Sequence, residues 1–188
     1  MARPSFRGVL LCEDIEHERF FRRLLNRWFG RRKLRVNRIP NREGAGDAYV
    51  IANYAREVQL ARRWRFENYA LVVAIDGDRK KLHGRMQQLD QELEDAGLPK
   101  RGNDEMIVVC VPTWSIETWE LWLCGERDVE EETDCKRRFQ DAERRGDASP
   151  RKAVESWFRD LSEGELRLEE ETLPSVAAGR QEVQRLDR

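Results

Sequence analysis

Two short stretches carry the side chains best suited to chemistry. "AIDGD" (74–78) ends the apolar run "YALVVAIDGD" with Asp76 and Asp78, one glycine apart. "VLLCED" (9–14) ends another apolar run with Glu13 and Asp14. A third candidate acid, Glu117, follows "EMIVVCVP" within "WSIETWELWL" (114–123). Clustered carboxylates repel one another, and burying them unpaired is costly. A divalent cation resolves that conflict. Mg2+ or Mn2+ prefers oxygen ligands, and Mg2+ is often held by one or two carboxylates plus substrate phosphate. A lone DxD is often only a turn, because Asp and Gly both favour turns. Its place behind a strongly apolar strand, with Glu13 behind another, favours the metal reading.

These acids need elements to position them. "GVLLC" (8–12) reads as a first strand. Phe20, Phe21, Leu24, Leu25, Trp28 and Phe29 recur at helical spacing, and Gly30 ends that helix. "KLRVNRI" (33–39) alternates like a half-exposed strand, and "PNREGAGD" (40–47) is a loop by composition. Residues 47–65 read as helix and 68–76 as the most strand-like segment. Leu82, Met86, Leu89 and Leu93 mark the next helix; 105–112 is a fourth strand, with a short helix beyond it. Fourfold strand–helix alternation predicts an α/β fold, a parallel sheet of about four strands with helices on both faces. In such sheets ligands gather at the carboxyl ends of the strands, where Glu13, Asp76, Asp78 and Glu117 all fall. Residues 1–124 read as this α/β domain. Residues 125–188 read as a helical extension, packed on it or contacting a partner, with helix starts at "SPRKAVESWF" and "LPSVAAGRQEVQRL".

A chain of 188 residues suits one such domain, and seven Phe and six Trp supply core material. Charged residues make up 38% of it, yet the net charge is only -1. The balance hides local asymmetry. Arg22 to Arg42 holds nine Lys/Arg and no acid, whereas "ERDVEEETD" (126–134) holds six acids and one Arg. The four cysteines show no metal-type spacing and read as reduced thiols. With no apolar signal core and no run of membrane-spanning length, a cytoplasmic protein without membrane contact is expected.

The stretches "VLLCEDIEHERFFRRLL" and "LVVAIDGD" together resemble the TOPRIM domain of topoisomerases, primases, OLD-type nucleases and small bacterial defence proteins. On that resemblance Glu13 matches the family glutamate, and Asp76 and Asp78 match its DxD. Asp14 stands where the family commonly has Gly, and His17 where an Asp is frequent. "VPTWSIETWELWL" is similar to a stretch of small TOPRIM-like proteins linked to phage defence, which often act beside an ATPase. The likeness covers roughly 8–123. It implies a Rossmann-like TOPRIM fold and a metal-dependent nuclease. Asp76, Asp78 and Glu13 would hold Mg2+ or Mn2+, with Glu13 as general base or as ligand to a second metal. It also implies the toxic effector of an anti-phage system, restrained or activated by a partner ATPase. The alternative is a TOPRIM-like interaction subunit without catalysis.

Other residues follow from charge and position. Glu117 reads equally as a further site acid or as a first-turn acid favoured by the helix dipole. Glu120 reads as solvated, His17 as a surface or cap histidine ahead of a proton shuttle, and His83 as a surface residue. Arg31, Arg32, Lys33 and Arg35 suit a phosphate backbone in DNA or RNA, tRNA among them, or an acidic dock such as the chain's own "EEETD". Arg79, Lys80 and Lys81 follow DxD directly, where they could neutralise phosphate. A phosphoryl-receiver domain is disfavoured because Asp76 is too far along and no Lys-Pro exists. A DxD sugar transferase leaves Glu13 idle.

Overall fold

The computed structural model describes residues 7–29, 33–38, 46–67, 69–162 and 173–187. Gly30, Arg31, Arg32 and the 40–45 part of the expected loop lie outside the described residues. Four strands, β1 (Arg7–Cys12), β2 (Lys33–Arg38), β3 (Tyr69–Ala74) and β4 (Ile107–Cys110), form one all-parallel sheet in the order β2-β1-β3-β4. The connections are α1 (Ile15–Phe29), α2 (Gly46–Arg63) and α3 (Lys81–Asp95). After β4 come α4 (Ile116–Leu123), α5 (Lys136–Arg145), α6 (Pro150–Ser162) and α7 (Pro174–Val183). This is the α/β architecture that the alternation predicts.

The three apolar strands β1, β3 and β4 are adjacent and buried on both faces, as their lack of alternation requires. One face, through Leu10, Cys12, Val72, Ala74, Val108 and Cys110, packs against α1, α4, α6 and α7. Trp119 and Trp157 lie at its centre beside Phe20 and Phe21. The other face, through Val9, Leu11, Leu71, Val73 and Val109, packs against α2 and α3. Burying a Leu- or Val-sized side chain contributes roughly 1.5–3 kcal/mol, so this double-sided core is what fixes the strand ends. Trp157, Val176, Val183 and Leu186 belong to the same cluster as Leu10, so α6 and α7 are built into that face.

β1 leads through α1 to β2 on one side, while β3 pairs with β1 on the other. The gap between the carboxyl ends of β1 and β3 is therefore the topological switch point, where open parallel sheets hold ligands. Glu13 follows β1 and Asp76 lies just past β3, so the sheet order alone sets them side by side. Along the outer edge of β4, Glu182 of α7 accepts from the Val109 N–H at 2.9 Å, and Arg101 donates to the Ile107 carbonyl at 2.9 Å. Arg101 and Glu182 pair with each other at 2.7 Å. Among the described residues no helix is long and apolar enough to cross a membrane.

Candidate metal centre

The site forms at the switch point. Asp14 is the N-cap of α1, where its Oδ1 accepts from the Glu16 and His17 backbone N–H groups, both at 3.0 Å. The same oxygen lies 2.8 Å from His17 Nδ1. His17 is fully buried, and its other nitrogen, Nε2, lies 3.0 Å from Asp76 Oδ1. That approach is poorly aligned: neither Nε2 nor Oδ1 has a hydrogen-bond partner. Glu13 Oε2 accepts from the Asp76 N–H at 3.1 Å. One potential ligand atom each from Glu13, His17 and Asp76 falls within 4.8 Å of the others.

The expected surface histidine is thus the most buried member of the cluster. The reason is periodic: His17, Phe21 and Leu24 share the apolar stripe of α1. Burial works against a charged ring, but Asp76 and then Asp14 outweigh it and push His17 well above the ordinary imidazole value. Asp14 shows the reverse balance: burial raises it, yet the hydrogen bond and charge of His17 hold it well below the usual carboxylate range. Burial pushes Glu13 up to about 7, with Asp76 adding to the rise and the His17 charge opposing it.

The DxD turn is tightly built. Gly77 has φ -72° and ψ -35°, ordinary values, so a sharp left-handed turn is not its role. It is needed for space, since a Cβ would stand 2.6 Å from the Thr113 carbonyl oxygen and 3.0 Å from the Lys81 carbonyl carbon. The unusual backbone falls on Asp78 (φ 48°) and on Lys81 (φ 58°, ψ -178°). Such conformations cost on the order of 1–3 kcal/mol and concentrate at functional sites. Gly46 brings the start of α2 against Glu13, whose carbonyl oxygen would stand 2.9 Å from an added Cβ.

Asp78 points elsewhere. Its Oδ2 lies 3.4 Å from the guanidinium of Arg85, a fully buried residue that also donates to the Asp76 carbonyl at 2.9 Å. Burial first, and then Asp76, raises Asp78, so the two aspartates feel each other although Asp78 stands outside the close cluster. Glu117 is buried and raised by burial, and it too is close enough to Asp76 for the two charges to interact. The structure therefore sets Glu117 toward the same carboxyl edge. Glu120, expected to be solvated, is fully buried with neither carboxylate oxygen hydrogen-bonded, and burial pushes it well above its ordinary value.

The cations divide into committed and available. Arg35 binds the buried carboxylate of Glu57 at 2.7 Å, which ties β2 to α2. Lys33 lies in the β2 backbone. Lys81 pairs with Glu132 at 2.6 Å, while Arg79 and Lys80 are exposed beside DxD. The acidic run does not dock on the described part of the basic segment. Glu131 instead accepts from Thr113 and from Ser175, fastening the loop after α4 to the rim of the site. Lys136, at the start of α5, was not singled out from the sequence. Its side chain is exposed, and Glu117, Asp76 and Asp14 together raise it despite the opposing effect of burial. His83 is exposed, as expected.

The donor set fits a divalent cation: two carboxylates and an imidazole converge, and two of the converging atoms are buried without hydrogen bonds. Comparison with protein-family models, with curated proteins and with solved structures finds no match.

Proposed function

We propose that this chain is a TOPRIM-like, metal-dependent nuclease that hydrolyses phosphodiester bonds in nucleic acid. The observation that carries the reading is the convergence of Glu13 and Asp76 at the switch point, with buried ligand atoms that lack hydrogen bonds. Asp76 and Glu13 would hold Mg2+ or Mn2+, with Asp78 and Glu117 adding charge nearby. Bound there, the cation would supply Lewis-acid stabilisation of phosphoryl oxygens.

The remaining work belongs to the chain. Without a cation on it, the Glu13 carboxyl is raised by burial to about 7, so as a ligand it would give up its proton on binding, and where it stays uncoordinated it would serve as general base. Lys136 faces the acids and offsets their repulsion toward an incoming phosphate. Arg79 and Lys80 stand exposed where a strand leaving the site would pass. The extension to a toxic anti-phage effector governed by a partner ATPase rests on the similarity of "VPTWSIETWELWL" alone. A second reading, a non-catalytic interaction subunit, is favoured by one observation: Arg85 and His17 already supply positive charge to Asp78 and Asp76.

Cleavage of DNA and RNA with Mg2+ or Mn2+, with and without copurifying partners, separates the two. Asp76→Asn should keep the fold and lower the rate by about two to three orders of magnitude. A folded Asp76→Asn protein that cleaves at the wild-type rate sinks the nuclease reading.

A further inference from the structure

We propose that His17 is itself a metal ligand, so that the centre is a mixed nitrogen–oxygen site that selects a first-row transition ion over Mg2+. This rests on the metal-centre reading above and goes beyond it in naming the ligand and the class of ion. The geometry is that of a carboxylate–histidine–metal relay. Asp14 Oδ1 holds Nδ1 at 2.8 Å, which fixes the ring and turns Nε2 inward. Nε2 is fully buried without a hydrogen-bond partner, beside an Asp76 Oδ1 in the same condition. Glu13 completes the trio within 4.8 Å.

Buried polar atoms without a hydrogen bond are rare and call for a partner. A ring held through one nitrogen by a carboxylate, with the other facing two more carboxylates, has the form of metal-ligating histidines. Imidazole suits the later ions of the first transition row, Fe2+ to Zn2+, whereas Mg2+ takes oxygen and gives up water reluctantly. Asp14 thus has two tasks with one oxygen: it caps α1 and orients the buried ligand in the first turn of that helix. The competing account is that His17 is only a cationic partner of Asp76, present in place of any metal.

The test uses the full-length, metal-stripped protein with Co2+ and Mg2+ as probes. Calorimetric titration should show Co2+ binding at least roughly tenfold tighter than Mg2+. His17→Asp, which makes the site all-oxygen, should erase most of that preference. Asp14→Asn should weaken Co2+ binding by about 10–100-fold. Proton NMR of the Co2+ wild-type protein should show a strongly shifted, exchangeable imidazole N–H signal, a readout that does not depend on any variant folding. Absence of that signal in a Co2+-bound protein overturns the proposal, as does a folded His17→Asp protein with unchanged Co2+ affinity; the metal centre itself would survive both. Failure of the wild-type protein to bind either ion removes the metal-centre reading and this inference with it.

Discussion

Glu13 gives the sharpest stability test. Its carboxyl rises from 4.5 to about 7 chiefly because burial disfavours the ionised form. The native protein therefore holds this proton more tightly than the unfolded chain does. The sign follows: the stability that protonated Glu13 provides is complete below 4.5 and is lost as pH rises through about 7. At 1.36 kcal/mol per pH unit the full loss is about 3 kcal/mol. Glu13→Gln keeps an acceptor for the Asp76 N–H but cannot ionise. With EDTA present, the variant should match wild type in acid and exceed it progressively through that window. At about pH 8 the gain should approach 3 kcal/mol, or roughly 6–12 °C in Tm for a chain of this size. Urea melts across the pH range, fitted with a common slope, measure the difference. A gap that does not change with pH, or a variant less stable at every pH, would refute a buried, repelled carboxyl at this position. Addition of a bound cation should narrow the gap: at 100 times Kd it stabilises wild type by about 2.7 kcal/mol, and the variant by less.

Two further outcomes are expected. Gly77→Ala should lower stability by about 1–3 kcal/mol, because its Cβ would meet the Thr113 carbonyl oxygen at 2.6 Å and backbone cannot easily yield; a melt at the wild-type temperature would contradict the close approach. The double reversal Arg79→Glu, Lys80→Glu should weaken nucleic-acid binding and reduce the slope of log K against log salt by about 2. An unchanged slope in fluorescence anisotropy would remove both residues from the phosphate path.

Much of the scaffold was readable because it rests on local pattern. Unbroken apolar runs of β1, β3 and β4 announced strands buried on both faces, and the acids closing β1 and β3 announced the sheet edge. What escaped was polar burial inside helices. His17 and Arg85 each sit on an apolar stripe, Arg85 between Leu82 and Leu89, so their spacing carried the signal that their residue types concealed. Glu120 was misjudged because α4 is buried on every side, and a helix of eight residues gives periodicity too little length to show it. The division of labour between the two aspartates was not legible either. It depends on Arg85, seven residues beyond Asp78, folding back under the turn. Lys136 reaches the acids only through the packing of α5 against α4, a contact distant in sequence from the site it serves.

The side chains along β4 bear on how this molecule can assemble. A parallel sheet with a bare outer strand invites another chain to continue it, which is the route to strand-swapped oligomers and fibres. Here the outward N–H of Val109 and the outward carbonyl of Ile107 are already taken, by Glu182 and Arg101, which also neutralise each other. Any neighbour seeking to add a strand at β4 must first detach α7 and expose the Trp119 ring that packs against Gly179. Growth of the sheet in that direction is closed by the polypeptide itself, and a partner meeting this flank meets helix rather than backbone.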